Sequence, residues 1–278
     1  MLSFKKIYAI IHFYKTGIFF TRELSMHENI FKKKLFAGDN VIGTFLNIPS
    51  PIIVEIMRRA GFDFFVVDGE HGVFNPESMD ICVRTGDLSG FHPVIRVSDN
   101  SPITIQKAMD MLPAAIIIPQ VSSPDEAKRA VHSALFPPRG FRGNSPNTRY
   151  GCYSADSGPE LTRIADENAC IICQIEGVEG VRNLDSILEV KEIDGIFIGP
   201  YDLSTSMGIP GQVDDPSVIT KMEDIVSRSR AQRKFVGTYC QDQERAARWR
   251  QAGLQLLAVG VDTAVLYCAF SEMVKELR

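Results

Sequence analysis

Three side chains suited to proton transfer and charge stabilisation follow one apolar run in the sequence. After the run 64–67 the chain places Asp68, Glu70 and His71 within four residues. Four bulky apolar residues in a row, two of them β-branched, predict a short strand buried on both faces. Carboxylates and an imidazole at the end of such a strand are costly to bury unless partners or a metal satisfy them. Taken alone, the stretch is better explained by Asp68 capping a turn and His71 lying in a loop, so the other strand ends decide.

Side chains with related chemistry stand at or after the ends of three other predicted strands. Arg96 belongs to the third strand, Gln174 and Glu176 end the fifth, and Asp202 follows the sixth. Singly, each has a structural explanation, as a strand-edge charge, a helix cap or an Asx turn. Together they bring two acids to adjacent strand ends, where carboxylates about 4 Å apart repel by roughly 4 kcal/mol at an effective dielectric near 20. A divalent cation removes that cost, and this ligand set suits Mg²⁺ or Mn²⁺, with Co²⁺ or Zn²⁺ as further possibilities.

A divalent ion held by two acids, with a coordination position left open, predicts Lewis-acid chemistry on a carbonyl group. A Schiff base, the other common route, needs a lysine that faces the pocket from a strand. The lysines lie instead in the amino-terminal segment, in predicted helices, or before the sixth and seventh strands. Metal-assisted enolisation is therefore the predicted route, with His71 as the base and Asp68 placed to orient and polarise its imidazole.

Short apolar strands alternate with helices along the chain after residue 36. Strands are predicted at 41–46, 62–68, 93–97, 114–119, 170–175, 195–198, 235–238 and 256–260. Helices are predicted at 51–60, 76–88, 101–111, 123–135, 160–167, 180–188, 216–233, 242–252 and 262–277, and conspicuous loops at 137–154 and 199–208. Such alternation implies parallel pairing, and eight repeats predict an α/β fold, a single-domain (β/α)8 TIM barrel whose active site lies at the carboxyl ends of the strands. A doubly wound open sheet is the alternative, but no Gly-x-Gly-x-x-Gly follows the first strand.

Composition limits the classes of partner. The 278 residues carry a net charge of −4, and with a pI near 5.8 this argues against a nucleic-acid partner. Six scattered cysteines, including a Cys170–Cys173 pair that a strand would point to opposite faces, predict buried free thiols in a reducing cytoplasm. The apolar stretch 7–20 is too short to span a membrane, and an amphipathic helix is predicted from residue 26. We expect residues 1–35 to form an amino-terminal extension and residues 36–278 to form the barrel.

Three motifs at the ends of predicted strands give the chain a recognisable pattern. These are Asp-Gly-Glu-His at 68–71, Gln-x-Glu-Gly at 174–177 and Gly-Pro-x-Asp-Leu-Ser at 199–204. With this set, the sequence from residue 36 onwards resembles the HpcH/HpaI aldolase family, metal-dependent class II aldolases specific for pyruvate. The resemblance implies reversible cleavage of a 4-hydroxy-2-oxo acid into pyruvate and an aldehyde, and assembly into homo-oligomers, specifically hexamers.

The same resemblance implies roles for the catalytic residues. His71 would accept a proton through bound water, with Asp68 beside it. Arg96 would stabilise the oxyanion that develops on the pyruvate enolate, as a fixed cation can. Asp110 matches an aspartate that supports the histidine across a subunit contact.

The metal and substrate positions also follow from the resemblance. Glu176 and Asp202 match the two metal ligands, while Gln174 and the backbone amides of Tyr201 and Asp202 match the groups that bind pyruvate.

Three places depart from the family pattern. Tyr201 replaces a small residue, and Tyr239 stands where an aliphatic residue helps to shape the aldehyde pocket. After Asp110 the chain reads Met-Leu-Pro-Ala at 111–114, where the family usually has a Gly-Ala turn.

Two other functions stay open at this point. One is a carbon–carbon lyase acting on acyl-CoA esters, as in the citrate lyase β-subunit and malyl-CoA relatives, which share the barrel and the metal acids. The other is a catalytically silent barrel kept for binding or assembly.

Overall fold

Eight parallel strands close into a barrel in the computed structural model, which describes residues 28–154 and 158–278. Each strand pairs with the next along the chain, and β8 returns to β1. The strands are β1 Val41–Leu46, β2 Phe64–Asp68, β3 His92–Arg96, β4 Ala115–Ile118, β5 Ile171–Ile175, β6 Gly195–Ile198, β7 Phe235–Cys240 and β8 Leu256–Val261. The predicted single-domain (β/α)8 barrel is confirmed, and the open-sheet alternative is wrong.

Helices follow the strands around the outside of the barrel. They are α1 Ile30–Ala37, α2 Pro51–Ala60, α3 Pro76–Leu88, α4 Pro102–Asp110, α5 Pro124–Ala134, α6 Pro159–Asn168, α7 Val178–Arg182, α8 Leu184–Leu188, α9 Pro200–Ser206, α10 Pro216–Ala231, α11 Gln243–Gln251 and α12 Asp262–Lys275. A 3₁₀ turn spans Arg149–Ser154. Two predictions are corrected: the helix at 180–188 is divided at Asn183, and the segment 199–208 is not all loop but contains α9. Proline suits the first helical turn, so Pro200 begins α9 rather than preventing it.

Alternate residues of each strand point into two different cores. Phe64 and Val66 belong to the cluster inside the barrel, whereas Phe65 and Val67 pack in the layer between the strands and the helices. Because side chains alternate along a strand, Asp68 continues the inward series at the carboxyl end of β2. Arg96 on β3 and Gln174 on β5 do the same, two residues after the inward-facing Val94 and Ile172.

The cysteines follow the same alternation. Cys170 lies in the inner cluster and Cys173 in the outer layer, so the prediction that they face opposite sides is confirmed. The described cysteines are free and four of them are buried, but Cys268 is exposed, so the prediction of buried thiols is wrong there. The side chain of Cys152 lies outside the described residues.

Helix α1 closes the amino-terminal end of the barrel and spans the predicted boundary between residues 35 and 36. Phe31 and Leu35 are fully buried in the inner cluster, and the Phe31 ring lies 5.6 Å from the ring of Phe64. The Asn29 side chain caps the helix by accepting from Lys32 N at 3.0 Å. The predicted extension before residue 28, with its apolar stretch 7–20, lies outside the described residues. Within residues 28–154 and 158–278, no helix is long and apolar enough to cross a membrane.

Removing the α1 anchor should destabilise the barrel. Phe31→Ala deletes a fully buried ring and leaves a cavity, so we expect the free energy of unfolding to fall by about 3–5 kcal/mol. Ile30→Ala on the same helix is the matched control, because Ile30 is 58% exposed, and it should change that energy by no more than about 0.5 kcal/mol. Urea denaturation followed by circular dichroism measures both. Equal effects of the two substitutions would show that α1 does not close the core.

Candidate active site

A cavity of about 350 Å³ opens at the carboxyl ends of the strands, near the lower end of the range of about 300–1,000 Å³ typical of ligand sites. Seven of the nine residues predicted from the sequence line it: Asp68, His71, Arg96, Gln174, Tyr201, Asp202 and Tyr239. Glu176 lies directly beside this lining, hydrogen-bonded to Gln174. The structure therefore brings eight of the nine predicted residues together.

A buried ion pair between Asp68 and Arg96 forms the floor of the site. The two residues are register partners on β2 and β3, and Arg96 Nε and Nη2 donate to the two carboxylate oxygens at 2.9 and 2.7 Å. Arg96 Nη1 lies 3.2 Å from Glu70 Oε2, and the guanidinium stacks on the Phe45 ring at 4.9 Å. Such a bidentate, stacked arginine is a cation of fixed orientation.

His71 lies at the mouth, exposed to solvent and part of the cavity lining. Asp68 does not orient its imidazole, contrary to the sequence-based expectation. Besides Arg96, the Asp68 carboxylate accepts from the backbone N–H groups of Glu70 and His71, at 3.1 and 3.2 Å. Both oxygens of Asp68 are therefore taken up by Arg96 and by the amides of the turn. Asp68 fixes the turn that carries His71 instead of the imidazole itself.

Glu176 is buried in a polar cradle at the end of β5. Its Oε1 accepts from Gln120 N at 2.7 Å and its Oε2 accepts from Gln174 Nε2. Burial raises the pKa of this carboxyl group to about 7, and the nearby charges of Glu70 and Asp202 act in the same direction, against the hydrogen bonds from the two glutamines.

Space for this carboxylate depends on Gly199 at the end of β6. A Cβ atom at that position would lie 2.6 Å from Glu176 Oε2, closer than two such atoms can approach. Gly199 precedes α9, whose first turn carries Asp202. Glycine at 199 therefore lets the two predicted metal ligands approach the same region.

Some buried polar atoms around the cavity have no hydrogen-bond partner. They are Gln174 Oε1, Asn47 Oδ1 and Glu70 Oε2, although Glu70 keeps its ionic contact with Arg96. An unsatisfied buried polar atom costs about 1–3 kcal/mol. Gln174 and Asn47 line the cavity, so their unpartnered oxygens indicate a polar ligand there.

Sequence reasoning missed Gln120 and Asn47, which stand just after β4 and β1. Gln120 takes a left-handed backbone with φ of +57°, which directs its N–H to Glu176, and its side-chain Nε2 donates to Glu70 Oε1 at 3.1 Å. It thus links the acid of β5 to the turn after β2. The only sequence signal for either residue was its position after a strand end. Nothing in the sequence marks Gln120 as left-handed, because that conformation is usually signalled by glycine or asparagine.

Asp110 is the predicted residue that the structure does not bring to the cavity. It ends α4, which runs from the carboxyl end of β3 back towards the amino end of the barrel. Its Oδ1 accepts from Arg142 Nη2 at 2.6 Å, and that arginine is sandwiched by the rings of Phe136 and Tyr150 at 4.6 and 5.1 Å. Within one chain, Asp110 therefore fastens the loop after α5.

Three aromatic rings line another part of the cavity, and one of them, Phe45, touches the ion pair. We call Tyr201, Tyr239 and Phe45 the aromatic wall. The Tyr239 ring lies 5.9 Å from that of Tyr201 and 5.8 Å from that of Phe45. The Tyr201 hydroxyl donates to Gln241 Oε1 at 3.1 Å, which holds the outer ring of the wall in place.

Comparison with known proteins gives a consistent result. A family model described as HpcH/HpaI aldolase/citrate lyase matches residues 41–269. The chain is 37% identical over 241 residues to a pyruvate aldolase of Rhizobium etli, covering 86% of this chain and 93% of that protein. It is 35% identical over 240 residues to a 4-hydroxy-2-oxo-heptane-1,7-dioate aldolase of Escherichia coli, covering 86% and 91%. A crystal structure of an HpcH/HpaI aldolase from Desulfitobacterium hafniense matches with a TM-score of 0.83 and 30% identity, covering 88% of this chain and 95% of that one.

The Asp68–Arg96 pair should contribute far more to stability than an exposed pair of the same types. Asp68→Ala leaves a buried guanidinium with one carboxylate partner fewer, and we expect the free energy of unfolding to fall by about 3 kcal/mol or more. Asp80→Ala is the control, because Asp80 pairs with Arg84 at 2.5 Å on the surface of α3 and should cost no more than about 0.5 kcal/mol. Guanidinium chloride denaturation measures the free energy of unfolding of both variants. Equal losses in the two variants would contradict the stabilising role of the buried pair.

Proposed function

The chain belongs to the HpcH/HpaI aldolase/citrate lyase family, and we propose that it is a divalent-metal-dependent aldolase that reversibly cleaves a 4-hydroxy-2-oxo acid into pyruvate and an aldehyde. Its relatives at 35–37% identity are named as aldolases, and the chain is accordingly a carbon–carbon lyase. The observation that carries the proposal is one cavity flanked by a fixed cation, Arg96, and by the acids Glu176 and Asp202.

The residues around Glu176 suit a divalent ion. Among the described residues, no group of three or more His, Cys, Asp or Glu side chains forms a closed metal site. Two carboxylates fit Mg²⁺ or Mn²⁺, which are commonly held by one or two carboxylates and complete their shell with water and substrate oxygens. The buried carboxyl group of Glu176, near the charges of Glu70 and Asp202, and the unpartnered Gln174 oxygen support a cation and a polar ligand here. Such an ion, when bound, supplies Lewis-acid polarisation of a keto oxygen, and Co²⁺ or Zn²⁺ could replace Mg²⁺ or Mn²⁺.

The chain's own residues move the proton and stabilise the charge that develops. In the cleavage direction His71 accepts the proton of the 4-hydroxyl group and the C3–C4 bond breaks. The electron pair of that bond forms the C2–C3 double bond of the enolate, and the π electrons of the C2 carbonyl move onto its oxygen. The hydroxyl-bearing carbon leaves as the aldehyde. Arg96, held by Asp68 and Glu70, stabilises the oxygen that becomes negative at C2. Return of the proton to C3 gives pyruvate, and Gln174 and the amides of Tyr201 and Asp202 hold its carboxylate end.

The two rival functions have less support. An acyl-CoA lyase would share the acids, but the relatives that match at 35–37% identity are named as aldolases of free acids. A silent barrel would have no use for unpartnered oxygens of Gln174 and Asn47 facing a cavity. Tight binding of a CoA ester would favour the first rival, and failure to bind any divalent ion would favour the second.

The proposed setting is the cytoplasm with small-molecule substrates. The free thiols of the described cysteines fit a reducing compartment. Pyruvate, an aldehyde and their 4-hydroxy-2-oxo acid adduct are the proposed partners, rather than nucleic acid or a membrane.

Exchange of the pyruvate methyl protons with solvent tests the enolisation step alone, because no aldehyde takes part in it. In D₂O with Mg²⁺ or Mn²⁺, we expect the protein to catalyse deuterium incorporation, read by NMR, and EDTA to stop it. His71→Ala should slow exchange by about 10²–10⁴-fold, the usual contribution of a general base. His132→Ala, an exposed position on α5, is the control and should leave the rate unchanged. Exchange that persists without metal, or that His71→Ala leaves untouched, would falsify the mechanism.

Metal binding provides a second readout of the same proposal that does not depend on turnover. Titration with Mn²⁺ by calorimetry or EPR should show a site that Glu176→Gln weakens at least 100-fold. Glu179→Gln, an exposed glutamate in the first turn of α7, should bind Mn²⁺ like the unmodified chain. Because Glu176 is buried with a raised pKa, a neutral amide there should not lower stability.

A homo-oligomer, specifically a hexamer, is the proposed assembly. Helix α12 is buried only at its first residue, Asp262, and exposes several large apolar side chains: Val265, Tyr267, Phe270, Met273 and Val274. Monomeric soluble proteins rarely expose contiguous apolar patches of this kind. We therefore expect a second copy of the chain to pack on this face. The position of Asp110 away from its own cavity also fits a role that needs a neighbour.

Light scattering coupled to gel filtration tests the assembly. We expect a mass of six times 30.9 kDa, and Phe270→Glu on α12 should lower that mass at equal protein concentration, because a charge cannot be buried unpaired. Leu88→Glu, at a position 76% exposed on α3, should leave the mass unchanged. A wild-type chain that elutes at the monomer mass would contradict the proposal.

A further inference from the structure

We propose that the aldehyde partner of this enzyme is an uncharged aromatic aldehyde rather than one that carries a second carboxylate. The inference rests on the proposed function, since it concerns the molecule that adds to, or leaves from, pyruvate at the same site. It is carried by two independent features of the cavity, the aromatic wall and the distribution of charge.

The aromatic wall reaches from the inner end of the cavity to its rim. Phe45 is buried under the Arg96 guanidinium, Tyr239 is half-buried above it, and Tyr201 is 40% exposed at the mouth. The three rings follow one another at 5.8 and 5.9 Å between centroids. Tyr201 directly precedes the acid Asp202, so one end of the wall stands beside the proposed pyruvate site, and we expect the aldehyde to lie along these rings. Flat apolar surfaces stack favourably on such rings.

The charge around the cavity disfavours an anionic tail. Arg96 is the only lysine or arginine among the described residues that line it. All three guanidinium nitrogens of that arginine already face Asp68 or Glu70. Together with Glu176 and Asp202, the cavity and its surroundings hold four carboxylates and one guanidinium, and a single divalent ion still leaves the set negative. Pyruvate adds another negative charge, so a carboxylate at the far end of the aldehyde would meet repulsion and no free cation.

Two arginines lie behind the wall, and both are already paired with an aspartate. Arg245 and Arg248 both contact Asp214, with Arg245 Nε and Arg248 Nη2 at 3.1 and 3.2 Å from its oxygens. The space between them and the two tyrosines is about 10 Å³, room for one water molecule at most. The faces of the tyrosine rings are themselves negative, which further disfavours an approaching carboxylate.

Matched aldehydes test the charge preference in the unmodified enzyme. Pyruvate, Mn²⁺ and protein would be incubated with 4-carboxybenzaldehyde or with its methyl ester, which keeps the ring and a similar electron-withdrawing group but removes the charge. We expect kcat/KM for the ester to exceed that for the acid at least tenfold, measured by mass spectrometry of the 4-hydroxy-2-oxo acid formed. Equal use of the two, or preference for the acid, would overturn the inference.

A second pair tests the ring preference, with benzaldehyde against cyclohexanecarbaldehyde. We expect benzaldehyde to be favoured at least fivefold, with Tyr239→Phe preserving that ratio and Tyr239→Leu reducing it towards one. Tyr153→Leu changes an exposed tyrosine that lies beside Arg84 and outside the cavity lining, and it should leave the ratio unchanged. A ratio near one in the unmodified enzyme would overturn the aromatic preference.

Deuterium exchange into pyruvate separates the two levels of failure. If exchange proceeds but carboxylated or saturated aldehydes are preferred, the aldolase assignment stands and this inference is wrong. If exchange itself is absent, the proposed function fails, and the inference fails with it.

Discussion

The buried Asp68–Arg96 pair is the interaction on which the geometry of the mouth depends. Because the two residues are register partners on neighbouring strands, their bidentate contact exists only when β2 and β3 are correctly aligned. The same carboxylate accepts the N–H groups of Glu70 and His71, so the turn that carries the proposed base is fixed by the pair that holds the proposed oxyanion cation. Glu70 then contacts Gln120, and a continuous polar network joins the ends of β2, β3, β4 and β5.

The polar network at the mouth lowers the stability of the barrel, and packing at the amino end offsets this loss. At the mouth, burial raises the pKa of Glu176, buried oxygens lack partners, and Gln120 keeps a left-handed backbone, a conformation that costs of order 1–3 kcal/mol. At the amino end, Phe31 is fully buried and Asn29 donates to two backbone carbonyls at 2.7 and 2.8 Å. Division of the barrel into a stable end and a reactive end is common to this architecture.

The apolar runs predicted the fold because a strand buried on both faces must be apolar throughout, and eight such runs leave few architectures. Position at the carboxyl end of a predicted strand placed Arg96 and Gln174 at the mouth. Such a position gives the end of the barrel at which a residue lies but not its partner, so the contact of Asp68 with Arg96 rather than with the His71 ring was not predictable. Nor was the left-handed Gln120, whose conformation is imposed by tertiary contacts. Helix α9 was missed because Gly199 and Pro200 signal a loop and a helix start equally.

The separation of the aromatic wall from the polar network shows how the aldehyde could vary while the pyruvate chemistry stays the same. The side chains of Tyr201 and Tyr239 meet each other, Phe45 and Gln241, whereas the ion pair and Glu176 are held by residues of other strand ends. Phe45, stacked beneath Arg96, is the ring that touches both groups. Substitution of a tyrosine can thus reshape the outer cavity without breaking a hydrogen bond to Arg96 or Glu176. Relatives can accordingly share the proposed proton-transfer and metal residues of this barrel and yet differ in the aldehyde that they accept, because the two sets are coupled through few contacts.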